Sequence, residues 1–553
     1  MEYTNFSFKA LQNGSDIRGV AMEGFGKPVN LTDKAVYCIG VSFVRYISSK
    51  TSLPSGQVTI ALGHDSRLTG PKLTHILSKA ISDAGAKVKI VGLASTPAMF
   101  KATNSHYGLG QASIMVTASH LPMERNGMKF FLHENGLDKE NITEILNFAQ
   151  KLYDNNVETA ISVNVAQALE DFNGFDSVTE TQDLKPCPSV EATSFFMETY
   201  AKLLRRDIFK AYYGFYGKTL KEAGFSHGHS YLEPKILQGI KIAVDAGNGA
   251  GGFFASHVLA PLGADVSGSQ FLEPDGNFPN HIPNPEDATA ISSISEAVLT
   301  TNSDLGIIFD TDVDRASAIG ASGKEINRNK MIALIASLMK LNSCYNTENA
   351  TIVTDSVTSD QLSAFLERDL GFTHLRYKRG YKNVINKANE INTNGGNAPL
   401  AMETSGHGAL QENSMLDDGA YLAALIIAGQ AFLLKEKNQS VEDLIDAMGE
   451  PLESAEFRLA IDDENFKEIG QAAINHLRAQ AEEGLIVGAS IVEPNYEGVR
   501  IAFDCPQAKG WALLRLSLHD PLLPLNIEAS NQGGVQYMKE QIAKQLSTFP
   551  IKF

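Results

Sequence analysis

The chain is poor in several residues that mark well-known protein classes. Its 553 residues include one tryptophan and four cysteines. Cys38, Cys187, Cys344 and Cys505 stand apart, with no Cys-x-x-Cys pair. That spacing offers neither a zinc site nor a disulfide framework, and it favours a reducing compartment. Positive charge is also scarce. There are 47 Lys and Arg against 64 Asp and Glu, for a net charge of −17 and a pI of about 5.3. Broad nucleic-acid binding needs a basic footprint, so nucleic acid is not expected as a partner. A local basic pocket for an anionic metabolite is still compatible with this balance. No apolar run is read as approaching a membrane span, so no membrane partner is expected either. The N-terminus lacks a basic-then-apolar targeting pattern, and motif-like residues begin by Asp16. A cytoplasmic location is expected, with the plastid stroma as the alternative if a longer precursor was trimmed.

What remains is ordinary globular composition, 43% hydrophobic and 20% charged, in a length that suits two to four domains. The informative feature is an internal repeat. Val58–Asp65, Ile240–Asp245 and Ala350–Asp355 are each an apolar strand ending in Asp and turning into a helix start. Each unit then supplies a second strand with a polar loop. These loops carry Ser119, Asp310-Thr-Asp312-Val-Asp314-Arg315, and Glu403-Thr-Ser405-Gly-His407. In α/β sheets such loops lie at strand C-termini and face a crevice. The reading is three related α/β domains around a central cleft. After about Gly449 the texture changes to short strands and one amphipathic helix near 464–483, which predicts a smaller C-terminal α+β domain. Met197 to Phe209 is predicted to be helical. Residues 155–190 show no period, and Tyr212–Tyr231 is read as a loop or insertion.

Each loop has a chemical and a bland reading. Ser119, in Thr117-Ala-Ser119-His120-Leu-Pro122, ends an apolar strand and can serve as a nucleophile or phosphate carrier, or be a polar turn. Asn126-Gly127 reads as a turn leading to Lys129. Asp310, Asp312 and Asp314 would repel one another without a cation, and oxygen-only ligands suit Mg²⁺. An EF-hand does not fit, because Arg315 stands where its Gly belongs and Ala321 where its Glu belongs. An aspartate-nucleophile phosphatase and a solvated acidic turn are the other readings. Gly247-x-Gly249-x-x-Gly252 with Asp265 matches a dinucleotide fingerprint, but Asp245 sets an anion beside the supposed pyrophosphate. Glu403, Ser405 and His407 offer sugar-hydroxyl ligands and a proton-exchanging imidazole, or form a plain loop. Lys378–Lys382 is a cationic turn or a solvated surface. Asp355-Ser-Val-Thr is read first as a helix cap.

Taken together and in this order, these loops resemble those of the α-D-phosphohexomutase superfamily, in particular its phosphomannomutase/phosphoglucomutase branch. Thr117–Pro122 with Asn126-Gly127-x-Lys129 resembles the phosphoserine loop. Asp310–Arg315 resembles the Mg²⁺ loop, with Thr311 where Gly is usual. Glu403–His407 resembles the sugar-recognition loop. Asp16-Ile-Arg18-Gly is similar to the N-terminal motif whose Arg contacts the phosphoserine, and Gly380-Tyr-Lys382 to a substrate-binding Gly-x-Lys. The fourth-domain phosphate loop is altered. Arg515 and Ser517 remain, but Leu518 and His519 replace the usual Gly and Thr.

The resemblance implies domains at 1–195 (phosphoserine loop), 196–321 (metal loop, with an N-terminal insertion), 322–449 (sugar recognition) and 450–553 (phosphate binding). It implies transfer of a phosphoryl group between O1 and O6 of glucose or mannose phosphate, through phosphoserine and a bisphosphorylated sugar. Ser119, Lys129, His407 and Arg18 would be catalytic. Glu403, Ser405, Lys382, Arg515, Ser517, His120 and Arg315 would bind substrate. Ser119, Asp310, Asp312 and Asp314 would hold Mg²⁺. The implied partners are hexose phosphate and hexose bisphosphate, and the chain is expected to be a monomer or a weak homodimer. The alternatives are a degenerate mutase that binds sugar phosphates as a regulatory or scaffolding protein, and a phosphoglucosamine mutase.

Overall fold

The computed structural model describes residues 6–133, 135–154, 190–193, 195–225, 234–326, 328–517 and 520–553. Leu518 and His519, and residues 155–189 of the irregular stretch expected at 155–190, lie outside the described residues. Packing divides the chain into two compact units. One comprises Met1–Tyr213, Leu220–Glu325 and Leu416–Ala431, the other Gly214–Thr219, Ile326–Met415 and Phe432–Phe553.

The first unit contains two sheets. The larger runs in the order Gln12–Asn13, Asp16–Val20, Arg125–Leu132, Ala112–Val116, Thr59–His64, Lys87–Leu93, Val190–Ala192. Its last four strands are parallel, and the strands on the other side of Ala112–Val116 run antiparallel. Apolar faces at helical spacing decide what covers the sheet. Helix Gly70–Asp83 buries Leu73, Ile76, Leu77, Ala80 and Ile81, as its sequence predicts, and Gly85 closes it in a left-handed conformation. Helix Asp33–Thr51 starts at Thr32, whose side chain accepts from the Ala35 N–H. In the smaller sheet, Ile242–Asp245 lies parallel to Leu305–Phe309, which pairs antiparallel with Ala316–Gly320. Helix Ala288–Thr301, capped by Asp287, packs on it. The helix predicted at Met197–Phe209 extends over Phe196–Gly214, so the first residues of the expected Tyr212–Tyr231 loop are helical.

In the second unit, Thr351–Asp355 is flanked in parallel by Thr373–Tyr377 and Leu400–Met402, and Gly408–Leu410 adds an antiparallel strand. The C-terminal part is a six-stranded sheet whose described pairings are antiparallel. Its order is Ala489–Ile491, Val499–Asp504, Lys509–Leu514, Leu522–Ala529, Glu453–Ile461, Ile551–Lys552. Helices Phe466–Glu482 and Gly534–Gln545 complete its core. Three α/β domains and a smaller α+β domain are therefore present, as the sequence predicts.

Three sequence readings are corrected, and the dinucleotide-like motif, which Asp245 already counted against, is accounted for. Asn126-Gly127 is not a turn. Both residues lie inside strand Arg125–Leu132, with Gly127 opposite Arg18. Glycine is required there because a Cβ would sit 2.1 Å from the Ile17 carbonyl oxygen. The helix after Asp355 is capped not by the Asp355–Thr358 stretch but by Ser359, whose hydroxyl accepts from the Gln361 N–H. The glycines of the dinucleotide-like motif serve packing instead. A Cβ on Gly249 would meet the Thr311 backbone at 2.7 Å, and one on Gly252 the Leu272 oxygen at 2.0 Å. Finally, one helix, Gly419–Lys437, is by length and composition apolar enough to cross a membrane, contrary to the expectation from sequence. Of its most apolar window, 78% is buried inside the protein.

Gly127→Ala is expected to destabilise the protein by roughly 1–3 kcal/mol, because the clash is with backbone that cannot swing aside. Urea unfolding checks this, and an unchanged midpoint would contradict the packing described.

Candidate active site

In the first unit the site forms where two hairpin loops meet. One follows strand Ala112–Val116 and carries Ser119. The other follows Leu305–Phe309 and carries the three aspartates. Ser119 is buried and takes a left-handed φ of 52°. Its hydroxyl donates to Asp310 Oδ2 at 3.1 Å and lies 3.2 Å from His120 Nδ1. Asp310, Asp312 and Asp314 are 0%, 0% and 2% exposed. One carboxylate oxygen from each lies within 4.8 Å of the others. Burial, reinforced by Asp314 and Asp312, pushes the Asp310 carboxyl well above the usual carboxylate range, and Arg315 opposes the shift.

The cations predicted from sequence are in place around this ring. Lys129 contacts Asp314 and lies 3.1 Å from Asp312 Oδ2. Arg315 Nε donates to Asp310 Oδ2 at 3.2 Å, and its Nη1 donates to Asn284 Oδ1 at 3.2 Å. Arg18 Nη1 donates to the carbonyl of Ala118, next to Ser119, at 3.2 Å, while its Nη2 pairs with Asp16 at 3.0 Å. The donor set fits a hard cation, since it consists of oxygens only. One observation in particular supports this: Asp312 Oδ1 is buried and has no hydrogen-bond partner. The aspartate ring can hold a metal ion.

In the second unit, the predicted sugar loop turns between Leu400–Met402 and Gly408–Leu410. Glu403 Oε1 accepts from the Gly380 N–H at 2.6 Å, and Ser405 Oγ lies 3.5 Å from Glu403 Oε2. His407 stacks on Tyr381 with ring centroids 5.0 Å apart. Thr404 Oγ1 donates to Asp355 Oδ2 at 2.8 Å. Burial pushes the Glu403 carboxyl up to about 7; Asp355 adds to the shift and His407 opposes it. Lys382 is the second residue of helix Tyr381–Thr393. Arg515 is buried with its Nε unbonded, and burial, then the nearby Arg379 charge, lowers its pKa. Ser517 Oγ accepts from the Asp520 N–H at 3.2 Å.

Three family models match the chain, each described as phosphoglucomutase/phosphomannomutase: α/β/α domain I over residues 9–155, domain II over 224–323 and domain III over 327–451. The chain belongs to the phosphoglucomutase/phosphomannomutase family. A phosphomannomutase/phosphoglucomutase of Pseudomonas putida is 28% identical over 96% of this chain and 94% of its own. A phosphoglucomutase of Neisseria gonorrhoeae is 28% identical over 97% and 96%. The crystal structure of a phosphoglucomutase/phosphomannomutase family protein from Burkholderia thailandensis shares the fold, with a TM-score of 0.71 at 23% identity over 99% of both chains. As a phosphohexomutase the chain is an enzyme, an isomerase that works by phosphoryl transfer.

Several residues that shape this phosphohexomutase site were given no role by the motifs. Thr96 Oγ1 donates to Asp312 Oδ2 at 2.5 Å. Asp65, Arg67 and Thr117 hold the serine loop. His281 Nε2 lies 3.0 Å from Asp245 Oδ2, anchoring the segment that leads to Asn284 and Glu286 beside Arg315. The strand-end Asp65 and Asp245 were visible as repeat marks, but their partners come from distant loops.

Glu403 has a pH signature. Its ordinary pKa lies near 4.5 and its folded value near 7. Within that window only the folded form keeps the proton, so this group's contribution to stability falls as pH rises and is complete only below the window. Glu403→Gln removes that slope. Its melting temperature relative to the parent should therefore rise between about pH 5 and about pH 8, and a constant difference would contradict the burial described.

Proposed function

We propose that this phosphohexomutase interconverts the 1- and 6-phosphates of glucose or mannose, with Ser119 as the phosphoryl carrier and a hexose bisphosphate as intermediate. The observation that carries the reading is the Ser119 hydroxyl 3.1 Å from Asp310, within the buried aspartate ring. In the first half-reaction the phosphoserine P–O bond breaks and a new P–O bond forms to a free sugar hydroxyl, whose proton passes to a base. The bisphosphate then reorients. In the second half-reaction the other phosphoryl group returns to Ser119 and a proton returns to the sugar oxygen. Lys129 and His407 are the proton carriers in this reading.

Asp310, Asp312, Asp314 and an oxygen on Ser119 would hold Mg²⁺, which supplies charge neutralisation for the transferring phosphoryl group. Arg18, His120 and Arg315 add donors and positive charge at the same phosphate. Glu403 and Ser405 bind sugar hydroxyls, while Lys382, Arg515 and Ser517 bind the phosphate that does not react. A carboxyl that titrates near neutrality, as Glu403 does, can accept or donate a hydrogen bond to a hydroxyl within the working pH range.

Ser119→Ala is expected to abolish turnover of glucose 1-phosphate, supplied with trace bisphosphate, while melting normally; substantial residual turnover would refute the carrier role. Chelation of divalent ions should stop the parent enzyme, and added Mg²⁺ should restore it. Asp312→Asn should weaken Mg²⁺ binding by calorimetry, a readout independent of turnover. Rates on glucose, mannose and glucosamine phosphates rank the substrates. Binding of all three without turnover of any would favour the degenerate mutase instead.

A further inference from the structure

Ser119 is gripped from both sides by groups that touch none of the reacting atoms. Its N–H donates to Thr117 Oγ1 at 2.9 Å, and that hydroxyl donates to Asp65 Oδ2 at 2.7 Å. The Ser119 carbonyl accepts from Arg67 Nη2. The same guanidinium donates to the carbonyls of Leu121 at 2.5 Å, Pro122 at 2.9 Å and Arg125 at 3.0 Å. Arg67 is 1% exposed. Its Nε lies 3.3 Å from Asp65 Oδ2, and its own N–H donates to Asp65 Oδ1 at 3.0 Å. One buried arginine thus ties together four carbonyls of the serine loop, and Asp65 ties the arginine to the threonine. Asp65 is fully buried, and its carboxylate is met by the Arg67 guanidinium, the Arg67 N–H and the Thr117 hydroxyl.

A serine in the left-handed region sits above its relaxed conformation. Left to itself the loop would turn back, carrying Oγ away from Asp310. Holding the peptide groups on both sides of Ser119 prevents this. The second repeat shows that the bond is not a general requirement of such a turn. There Val313 takes a φ of 68°, yet the Thr311 hydroxyl is buried with no hydrogen-bond partner, and Asp245 is engaged by His281 instead.

We propose that Asp65, Arg67 and Thr117 form a positioning clamp for phosphoryl transfer, fixing both peptide groups of Ser119 so that its hydroxyl stays aimed at the Asp310 carboxylate. This rests on the reading of Ser119 as phosphoryl carrier. The three are positioning residues, acting through the serine. The test compares Thr117→Val, which keeps the shape and deletes the hydroxyl, with Thr117→Ser, which restores it, and with Ser119→Ala. The readouts are melting temperature, kcat and KM on glucose 1-phosphate, and single-turnover transfer of a labelled phosphoryl group from Ser119 to the sugar.

The clamp predicts that Thr117→Val loses roughly 100-fold in kcat and in single-turnover transfer. KM should stay within about twofold, and Thr117→Ser should recover most of the loss. Wild-type transfer in folded Thr117→Val, or a loss that Thr117→Ser does not recover, overturns the clamp. If Thr117→Val does not fold, Asp65→Asn, which keeps the size but weakens the grip on Thr117 and Arg67, decides by the same readouts. Normal turnover in Ser119→Ala would sink the carrier reading itself, whereas an inactive Ser119→Ala beside a fully active Thr117→Val would sink the clamp alone.

Discussion

The structure of the first unit depends on keeping three carboxylates together out of water. Like charges about 4 Å apart repel by about 4 kcal/mol even at an effective dielectric constant near 20, and burial adds to that cost. The chain answers with cations from separate elements. Lys129 comes from the strand that follows the serine loop and Arg315 from the aspartate loop itself, while Thr96 adds a hydroxyl from the start of helix Thr96–Lys101. Lys129 and Arg315 do not fully satisfy the ring, because one buried oxygen, Asp312 Oδ1, is without a hydrogen bond. A phosphoryl group on Ser119 would add a further −1.5 to −2 charge beside Asp310. The arrangement is thus electrostatically incomplete in the direction that a divalent cation corrects.

This balance explains which parts of the site could be read from the chain. The ring of Asp310, Asp312 and Asp314 is legible because the mutual repulsion of its carboxylates follows from their spacing, and Arg315 directly after it is the cation that spacing calls for. Ser119 at a strand end reads equally as a polar turn, and only the company of the other loops singles it out. Arg67, Thr96 and His281 were not legible, because each acts on a loop far away in sequence, and an isolated buried arginine or threonine looks like any other until its partners are known. Glycine misled at Gly127, read as part of a turn, and gave an ambiguous signal at Gly249, where a phosphate-loop reading was already disfavoured by Asp245; both are there so that another backbone can approach, Ile17 in one case and Thr311 in the other. The same missing Cβ serves turns, anion loops and close packing, and local sequence does not distinguish them. The assignment of a cap to the Asp355–Thr358 stretch failed similarly. The aspartate is a good cap in isolation, but Thr404 from the neighbouring hairpin engages its carboxylate and Ser359 takes the cap.

The internal repeat is deeper than the strand-end aspartates suggest. In all three α/β domains the polar loop is the turn of an antiparallel hairpin, and in all three a threonine is followed two residues later by a left-handed residue. These residues are Ser119 at φ 52°, Val313 at 68° and Gly406 at 92°. In the third domain that position is held by glycine, which adopts it without strain. In the second it is a buried β-branched valine, for which this conformation is a genuine outlier, and its two neighbours are the aspartates of the ring. In the first it is the serine itself. At this position strain therefore falls on the two loops that carry the serine and the aspartate ring, and not on the loop that carries Glu403 and His407. The threonine–aspartate bond is kept in the first and third domains, between Thr117 and Asp65 and between Thr404 and Asp355. One turn geometry, repeated three times, thus presents a hydroxyl, a carboxylate ring and a carboxyl–imidazole pair. The residue placed at the left-handed position reflects what each loop must hold still.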